Sequence, residues 1–151
     1  TIGIIVAVAN LTTWILSFER VPQLLTEGLL GISDKQWVIL LIINVVLLLL
    51  GCFMEGTAIM ILTVPVLLPV IHQLGIDSVH FGVVMVMNLL IGLLHPPFGM
   101  ALFVVAKVGN IPYWDLAKET LPIIPVLLIV LGICTFWPES IMFLPRLVYG
   151  N

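Results

Sequence analysis

Two short segments of this 151-residue chain combine the residue types that bind ions or small polar ligands. Residues 51–57 read GCFMEGT and place one carboxylate, Glu55, between two glycines. Residues 92–99 read GLLHPPFG and place an imidazole, His95, directly before two prolines. Glycine lets the backbone approach a ligand closely, and proline removes backbone hydrogen bonds. Both segments therefore offer oxygen atoms of the kind that a hard cation prefers.

Other chemistries find little support in the sequence. The three histidines, His72, His80 and His95, do not have the spacing of a zinc signature, and no Cys or Asp lies suitably beside them. No Ser/His/Asp or Cys/His arrangement, phosphate loop or redox pair is visible. The formal net charge of −3 gives no basic surface for nucleic acid. The sequence predicts neither an enzyme nor a transition-metal protein nor a nucleic-acid-binding protein, and it predicts no cofactor.

The composition decides the environment in which these segments must work. Hydrophobic residues make up 62% of the chain and charged residues only 9%. A soluble domain carries about 25% charged residues, so this chain would leave large apolar patches in water. The sequence therefore excludes a soluble domain, a disordered chain and a disulfide scaffold, and it predicts all or part of an integral membrane protein.

The same two segments interrupt the apolar runs that would cross the membrane. A crossing helix needs about 20 apolar residues, whereas the runs on either side of the Glu55 segment are shorter. We therefore expect a re-entrant hairpin over 37–74, with its tip at 51–57. The Pro-Pro pair predicts a discontinuous transmembrane helix over 79–108, broken at 92–99.

The remaining segments complete an all-α integral membrane fold. The predicted segments are the end of a transmembrane helix over 1–17, an interfacial amphipathic arm over 18–36, a polar connection over 109–119 and a final transmembrane helix over 120–145. Because the chain opens at Thr1 without an initiator Met, we expect a fragment of a longer protein.

A re-entrant tip followed by a broken helix is typical of midplane sites in secondary transporters. Half-helix amino ends there face anionic groups, and unwound carbonyls collect cations. Glu55 is interpreted as a cation ligand, a proton carrier or a hydrogen-bond acceptor that locks the tip, or else as a merely solvated carboxylate. Thr57 and Asn88 are neutral oxygen donors, and Asn88 lies one helical turn before Gly92, where it could line the same break.

These residues resemble a known family. Residues 51–69 and the longer run GIDSVHFGVVMVMNLLIGLLHPPFGMALF over 75–103 are similar to the large permease subunit of tripartite ATP-independent periplasmic (TRAP) transporters, the DctM-type protein. The likeness covers essentially the whole chain and matches the C-terminal half of that subunit. It implies half of an inverted-repeat, elevator-type transporter in the bacterial inner membrane, driven by sodium.

The resemblance also implies partners and site residues. A periplasmic binding protein would deliver an organic anion, a carboxylate or a sialic acid, to this subunit and a small DctQ-type membrane subunit. The implied sodium site, built largely from backbone carbonyls, comprises Gly51, Gly92, His95 and Phe98. The implied substrate or tip residues are Glu55, Gly56, Thr57 and Asn88, and the break is formed by Pro96, Pro97 and Gly99.

Two departures from the family pattern bear on this site. Many relatives have Thr where this chain has His95, so the ligand is either the backbone carbonyl or an imidazole in place of a hydroxyl. Glu55 stands where the shorter Asp is common.

Two alternatives remain at this stage: a sodium/dicarboxylate-type symporter that needs no binding protein, and a non-transporting membrane assembly subunit. The sequence does not distinguish sodium from proton coupling, it does not identify the substrate, and its few Lys and Arg residues give no usable orientation signal.

Overall fold

The computed structural model describes residues 35–96 and 99–149, together with eight isolated positions before residue 35. Within these residues the chain is helical, with no strand, and its helices are α1 (Gln36–Phe53), α2 (Gly56–Gln73), α3 (Ser78–Leu93), α4 (Met100–Gly109), α5 (Tyr113–Thr120), α6 (Ile124–Phe136) and α7 (Glu139–Tyr149). The predictions for 1–17 and 18–36 lie largely outside the described residues, as do those for Pro97 and Phe98.

Helices α1 and α2 form an antiparallel hairpin whose turn is only two residues long. Met54 and Glu55 both adopt extended backbone conformations, and they end α1 and begin α2. At the opposite, open end of the hairpin, Leu40 of α1 and Ile71 of α2 share one buried apolar cluster with Phe81 of α3. The third helix therefore starts at the open end.

The turn from α2 to α3 is specified by local sequence. Gly75 has φ +69°, and its N–H donates to the carbonyl of His72 while that of Ile76 donates to Ile71, which is the Schellman ending of a helix. Asp77 then caps α3, because its Oδ1 accepts the amides of Val79 and His80 at 2.7 and 3.1 Å. Backbone groups at the carboxyl end of α2 and at the amino end of α3 thus find hydrogen-bond partners within a few residues.

Helix α3 is the centre of the described structure, and it contacts α1, α2, α4, α6 and α7. It runs parallel to α1, since Asn44 meets Asn88 near the middle of the two helices and Gly51 meets Gly92 near their carboxyl ends. Helix α6 runs the other way, because Cys134 near its end lies beside His80 at the start of α3.

Helices α1 and α3 approach each other closely at Gly51 and Gly92. A Cβ atom built on Gly92 would lie 2.8 Å from the Cα of Gly51, and one built on Gly51 would lie 3.2 Å from the Cα of Gly92. The two backbones therefore touch with no room for a side chain, as small residues allow between membrane helices. This contact holds the hairpin tip beside the carboxyl end of α3.

The outer surface of the helices is apolar. Val104 and Val108 of α4 are 63% and 84% exposed, and α6 exposes Val126 and Ile129 in the same way. Helices α1 and α2 are longer than the apolar runs counted in the sequence, and each is long and apolar enough to cross a membrane. Helices α5 and α6 pass as a third span if their 49° bend is accepted. Eighteen residues rise about 27 Å, close to the roughly 30 Å of a hydrocarbon core. The chain is part of a membrane protein.

The carboxyl-terminal part differs from the sequence-based expectation. Instead of one helix over 120–145, the chain forms α6 and α7, separated at Trp137 and Pro138. A residue before proline is pushed out of helical geometry, and Trp137 accordingly has φ −122° and ψ 83°. The connection predicted over 109–119 contains helix α5.

We predict that Gly92→Ala destabilises the protein whereas Gly82→Ala does not. The added methyl at position 92 meets the backbone of Gly51, and such overpacking costs about 1–3 kcal/mol. A Cβ on Gly82, in the same helix, meets nothing within 4 Å, and alanine is there the better helix former. Thermal unfolding of the two full-length variants measures the difference. Equal midpoints for both would show that the glycine contact does not hold the helices together.

Candidate ion and substrate site

At the hairpin tip, Glu55 acts as the cap of α2. Its two carboxylate oxygens accept the backbone amides of Thr57 and Ala58 at 2.9 and 3.0 Å. Of the roles considered for this residue, the structure shows the hydrogen-bond acceptor that locks the tip. The carboxylate also balances the partial positive charge at the amino end of the helix. Because Glu55 is exposed on the described chain, one side of it remains open to a ligand.

A hollow of about 160 Å³ lies beside the tip, between α2 and α3. Glu55, Gly56 and Thr57 form its polar edge, and its wall is apolar, with Leu89 and Leu93 from the last turns of α3. Three of the four predicted tip residues, which are consecutive in the sequence, thus border this hollow, whereas Asn88 does not. A hollow of this size is too small for a sialic acid by itself, and sites of that kind are about 300–1,000 Å³.

The break after α3 gathers backbone carbonyls around Gly99. A Cβ on Gly99 would lie 3.2 Å from the carbonyl oxygens of both Leu93 and His95. The Gly99 amide donates to the His95 carbonyl at 3.1 Å, and Gly99 has φ +27°, a conformation that disfavours a side chain. A carbonyl oxygen has two lone pairs, so the His95 carbonyl retains one for a cation.

The predicted sodium residues are partly brought together. Gly51 and Gly92 are in contact, and the His95 amide donates to the Gly92 carbonyl at 3.0 Å. His95 is thus one short turn from the glycine pair, while Phe98 lies outside the described residues. The carboxyl end of α3 carries partial negative charge, which favours a cation at this place.

His95 is partly buried. Its Nδ1 is buried without a hydrogen-bond partner in the part of the chain that the structure describes. The residue borders a small cavity of about 180 Å³ together with Cys52 of α1 and Leu128 of α6. Within the described residues no group of three or more His, Cys, Asp or Glu side chains is placed to hold a metal ion.

Asn88 belongs to a different cluster from the tip residues. Its Nδ2 donates to Oδ1 and the backbone carbonyl of Asn44, at 2.6 and 3.1 Å. Asn44 in turn donates to Oγ1 of Thr135, which donates to the carbonyl of Leu131. This polar cluster, Asn44, Asn88 and Thr135, joins α1, α3 and α6 through hydrogen bonds. Asn88 is fully buried, and its Oδ1 has no partner among the described residues.

Sequence reasoning missed Thr135 and the burial of His80. His80 is 3% exposed, and its Nε2 donates to the carbonyl of Cys134 at 2.8 Å. A hydroxyl near the end of an apolar run is a weak signal, since Thr63 in a similar setting only bonds back to Ile59 of its own helix. Only the packing of α6 beside α3 in the folded chain distinguishes Thr135 and His80 from a residue such as Thr63.

Comparison with known proteins decides the family. The family model described as "Tripartite ATP-independent periplasmic transporter, DctM component" matches residues 1–140. The chain belongs to this family. It is a family of transporter permeases and not of enzymes.

Several curated DctM relatives are similar over most of this chain. The sialic acid TRAP transporter large permease protein SiaM of Vibrio cholerae is 47% identical over 137 residues, 91% of this chain and 32% of the relative. The C4-dicarboxylate large permease protein DctM of Pseudomonas aeruginosa is 38% identical over 94% of the chain and 33% of the relative. The isethionate permease protein DctMQ of Oleidesulfovibrio alaskensis is 41% identical over 93% of the chain and 22% of the relative. The chain thus spans at most about a third of these relatives' length, less than the half expected from the resemblance.

We predict that Thr135→Val weakens the packing of α6 on α1 while Thr63→Val does not. The first change removes the acceptor of the Asn44 amide, and interhelical hydrogen bonds in membranes are worth about 0.6–2 kcal/mol. The second removes only a bond within α2, so it serves as the matched control. Unfolding of the full-length permease in mixed detergent micelles compares the two. Indistinguishable stabilities would contradict an interhelical role for Thr135.

Proposed function

We propose that this chain is part of the membrane permease of a sodium-coupled TRAP transporter that imports an organic anion. The substrate class is a carboxylate or a sialic-acid-like anion, in keeping with the printed names of the relatives. The observation that carries the proposal is the contact of Gly51 with Gly92, because it sets a capped hairpin tip beside a broken helix. In secondary transporters such a pair lines the transport site.

We propose sodium as the coupling ion, bound at the end of α3. The carbonyls of Leu93 and His95 converge on Gly99, and a hard cation is held by several such oxygens. Gly51, Gly92 and Phe98 complete the proposed ligand region through their backbones. In this arrangement the His95 backbone carbonyl is the ligand, so the imidazole is not needed for the site.

The substrate is proposed to bind on the open side of the tip. Glu55 already occupies the amides of Thr57 and Ala58, so an anion has to be attracted by other groups. The bound sodium supplies one positive charge nearby, and the remaining part of the permease supplies the facing wall. This arrangement explains why the hollow beside the tip is small and mostly apolar on this chain.

We further propose a re-entrant hairpin and an elevator mechanism. The tip lies level with the last turns of α3, where the chain breaks before α4 begins, and this supports a tip that ends inside the membrane. The polar cluster Asn44, Asn88 and Thr135 ties α1, α3 and α6 together, as a unit that moves as one body requires. A small DctQ-type subunit and a periplasmic binding protein are the proposed partners, in the bacterial inner membrane.

Uptake into proteoliposomes tests this function. The full-length permease, its small subunit and its binding protein are reconstituted, and labelled sialic acid and succinate are offered with and without an inward sodium gradient. We expect uptake only when both the gradient and the binding protein are present. Uptake indifferent to sodium would overturn the coupling, and uptake of free substrate without the binding protein would favour a binding-protein-independent symporter.

A variant at the tip tests the role of Glu55 in the same assay. We predict that Glu55→Gln lowers uptake about fivefold, because the amide keeps only one of the two capping oxygens and loses the charge, a weakening of the cap of about 1 kcal/mol. Glu55→Asp keeps a capping carboxylate and is expected to retain most activity. Glu119→Gln, on the exposed face of α5, removes the same charge away from the tip and is the control. Equal uptake by the 55 and 119 glutamine variants would show that the tip carboxylate is dispensable.

A further inference from the structure

A second cavity lies at the opposite end of the molecule from the hairpin tip. It measures about 380 Å³ and is formed where helices end: the first turns of α1 and α3, the turn between α2 and α3, the end of α6 and the start of α7. This volume falls within the range of small-molecule sites, about 300–1,000 Å³. No part of it belongs to the tip, the break or the polar groups used in the proposed transport site, apart from Thr135 at its floor.

The floor of the cavity is polar and fixed. Thr135 and His80 both line it, and they are 1% and 3% exposed. The His80 Nε2 donates to the Cys134 carbonyl and Thr135 donates to the Leu131 carbonyl, so both side chains are held in place. The cavity therefore has a defined shape in the described structure.

The charged groups of the rim favour a ligand with a positive amino group. Asp77 uses Oδ1 for the capping bonds to α3, and its Oδ2 makes no hydrogen bond among the described residues. Glu139 and Arg146 form an ion pair in which Nη1 lies 2.7 Å from both carboxylate oxygens. Two carboxylates and one guanidinium leave a formal charge of −1, which disfavours a simple anion and favours an ammonium group.

The same rim also offers donors to a phosphate. Arg146 uses Nη1 for Glu139, so its other guanidinium N–H groups can donate elsewhere. The amino end of α1 at Gln36 opens into the cavity, and no side chain caps it. Guanidinium groups and helix amino ends are the groups that bind phosphate in proteins. A ligand that matches the whole rim carries one phosphate and one ammonium.

The position of the cavity indicates the source of such a ligand. Trp37 and Phe136 flank the opening, and each is at least half exposed. Aromatic residues at the ends of apolar helices lie at the level of lipid headgroups. Ile129 and Ile133 of α6 expose apolar surface below the opening, along which acyl chains can lie. We propose that this cavity binds the headgroup of a phospholipid that carries a primary ammonium, with Asp77 facing the ammonium and Arg146 facing the phosphate.

Lipid binding to the full-length permease tests the proposal independently of transport. The delipidated protein is titrated with phosphatidylethanolamine, phosphatidylcholine or phosphatidylglycerol, and bound lipid is counted by native mass spectrometry. We expect phosphatidylethanolamine to bind about tenfold more tightly than phosphatidylcholine, because a methylated ammonium cannot donate hydrogen bonds to a carboxylate. Phosphatidylglycerol, which lacks the ammonium, is expected to bind no better than phosphatidylcholine.

Two variants locate the binding. Asp77→Asn removes the charge but keeps an amide oxygen that caps α3, so folding is preserved. Arg146→Gln removes the phosphate donor. Asp77→Asn is expected to lose the preference for phosphatidylethanolamine over phosphatidylcholine, whereas Arg146→Gln is expected to weaken the binding of both lipids to a similar extent. Glu119→Gln, outside the cavity, is expected to keep both the affinity and the preference. The unfolding midpoint of each lipid-free variant confirms that the protein is folded.

Several results would overturn the proposal. One is an absence of preference in the unmodified protein, as expected if other parts of the permease fill the cavity. Another is a preference that survives Asp77→Asn. The last measurement is the binding of soluble glycerophosphoethanolamine. If it binds as tightly as the lipid, the ligand is a soluble aminophosphate and the assignment to a lipid is wrong.

Discussion

The contact between Gly51 and Gly92 is the constraint on which the rest of the described structure depends. Two backbones can approach so closely only where neither carries a side chain, since a methyl at either position would meet main-chain atoms of the other helix. This contact fixes the height of the hairpin tip against α3. It therefore places Glu55, at the start of α2, level with the last turns of α3 and next to the break. No contact made by a long side chain would define this height as sharply.

The two helix ends that meet there differ in their electrostatics. The amino end of α2 is balanced by the Glu55 carboxylate, which accepts two of its free amides. Among the described residues no basic side chain lies in the last turn of α3, and the carbonyls of Leu93 and His95 lie close to Gly99. The partial charge that remains unbalanced near the tip is therefore the negative one at the carboxyl end of α3, and it favours a cation. In the proposed mechanism, a substrate anion at the same tip would be attracted by that cation, and this gives a physical reason for binding the two together.

The sequence was most informative where backbone chemistry is restricted. The segment ends predicted at 74 and 79 and the break predicted at the Pro-Pro pair each depend on a few residues, and the helix ends lie close to these positions. Tertiary pairing was harder to predict. Asn88 appeared to belong to the break because it lies one turn before Gly92, yet it bonds to Asn44 across the helix interface. Local periodicity places a residue on a helix face but does not say which neighbour that face will meet. Pro138 divides the last predicted helix. A proline indicates a helix end locally, but the prediction of one helix over 120–145 followed the number of apolar residues instead.

The polar cluster follows from the same physics as the glycine contact. Apolar helices surrounded by lipid gain little from burying one another's apolar side chains, so their relative register has to come from close packing and from hydrogen bonds. Asn44, Asn88 and Thr135 supply those bonds between three helices. The cost is visible at Asn88, whose buried Oδ1 has no partner among the described residues. An apolar residue there would avoid that cost but would remove the hydrogen bonds that, beside the glycine contact, fix the register of α1 along α3. The chain therefore uses its few buried polar side chains where a shift in register would displace the proposed transport site.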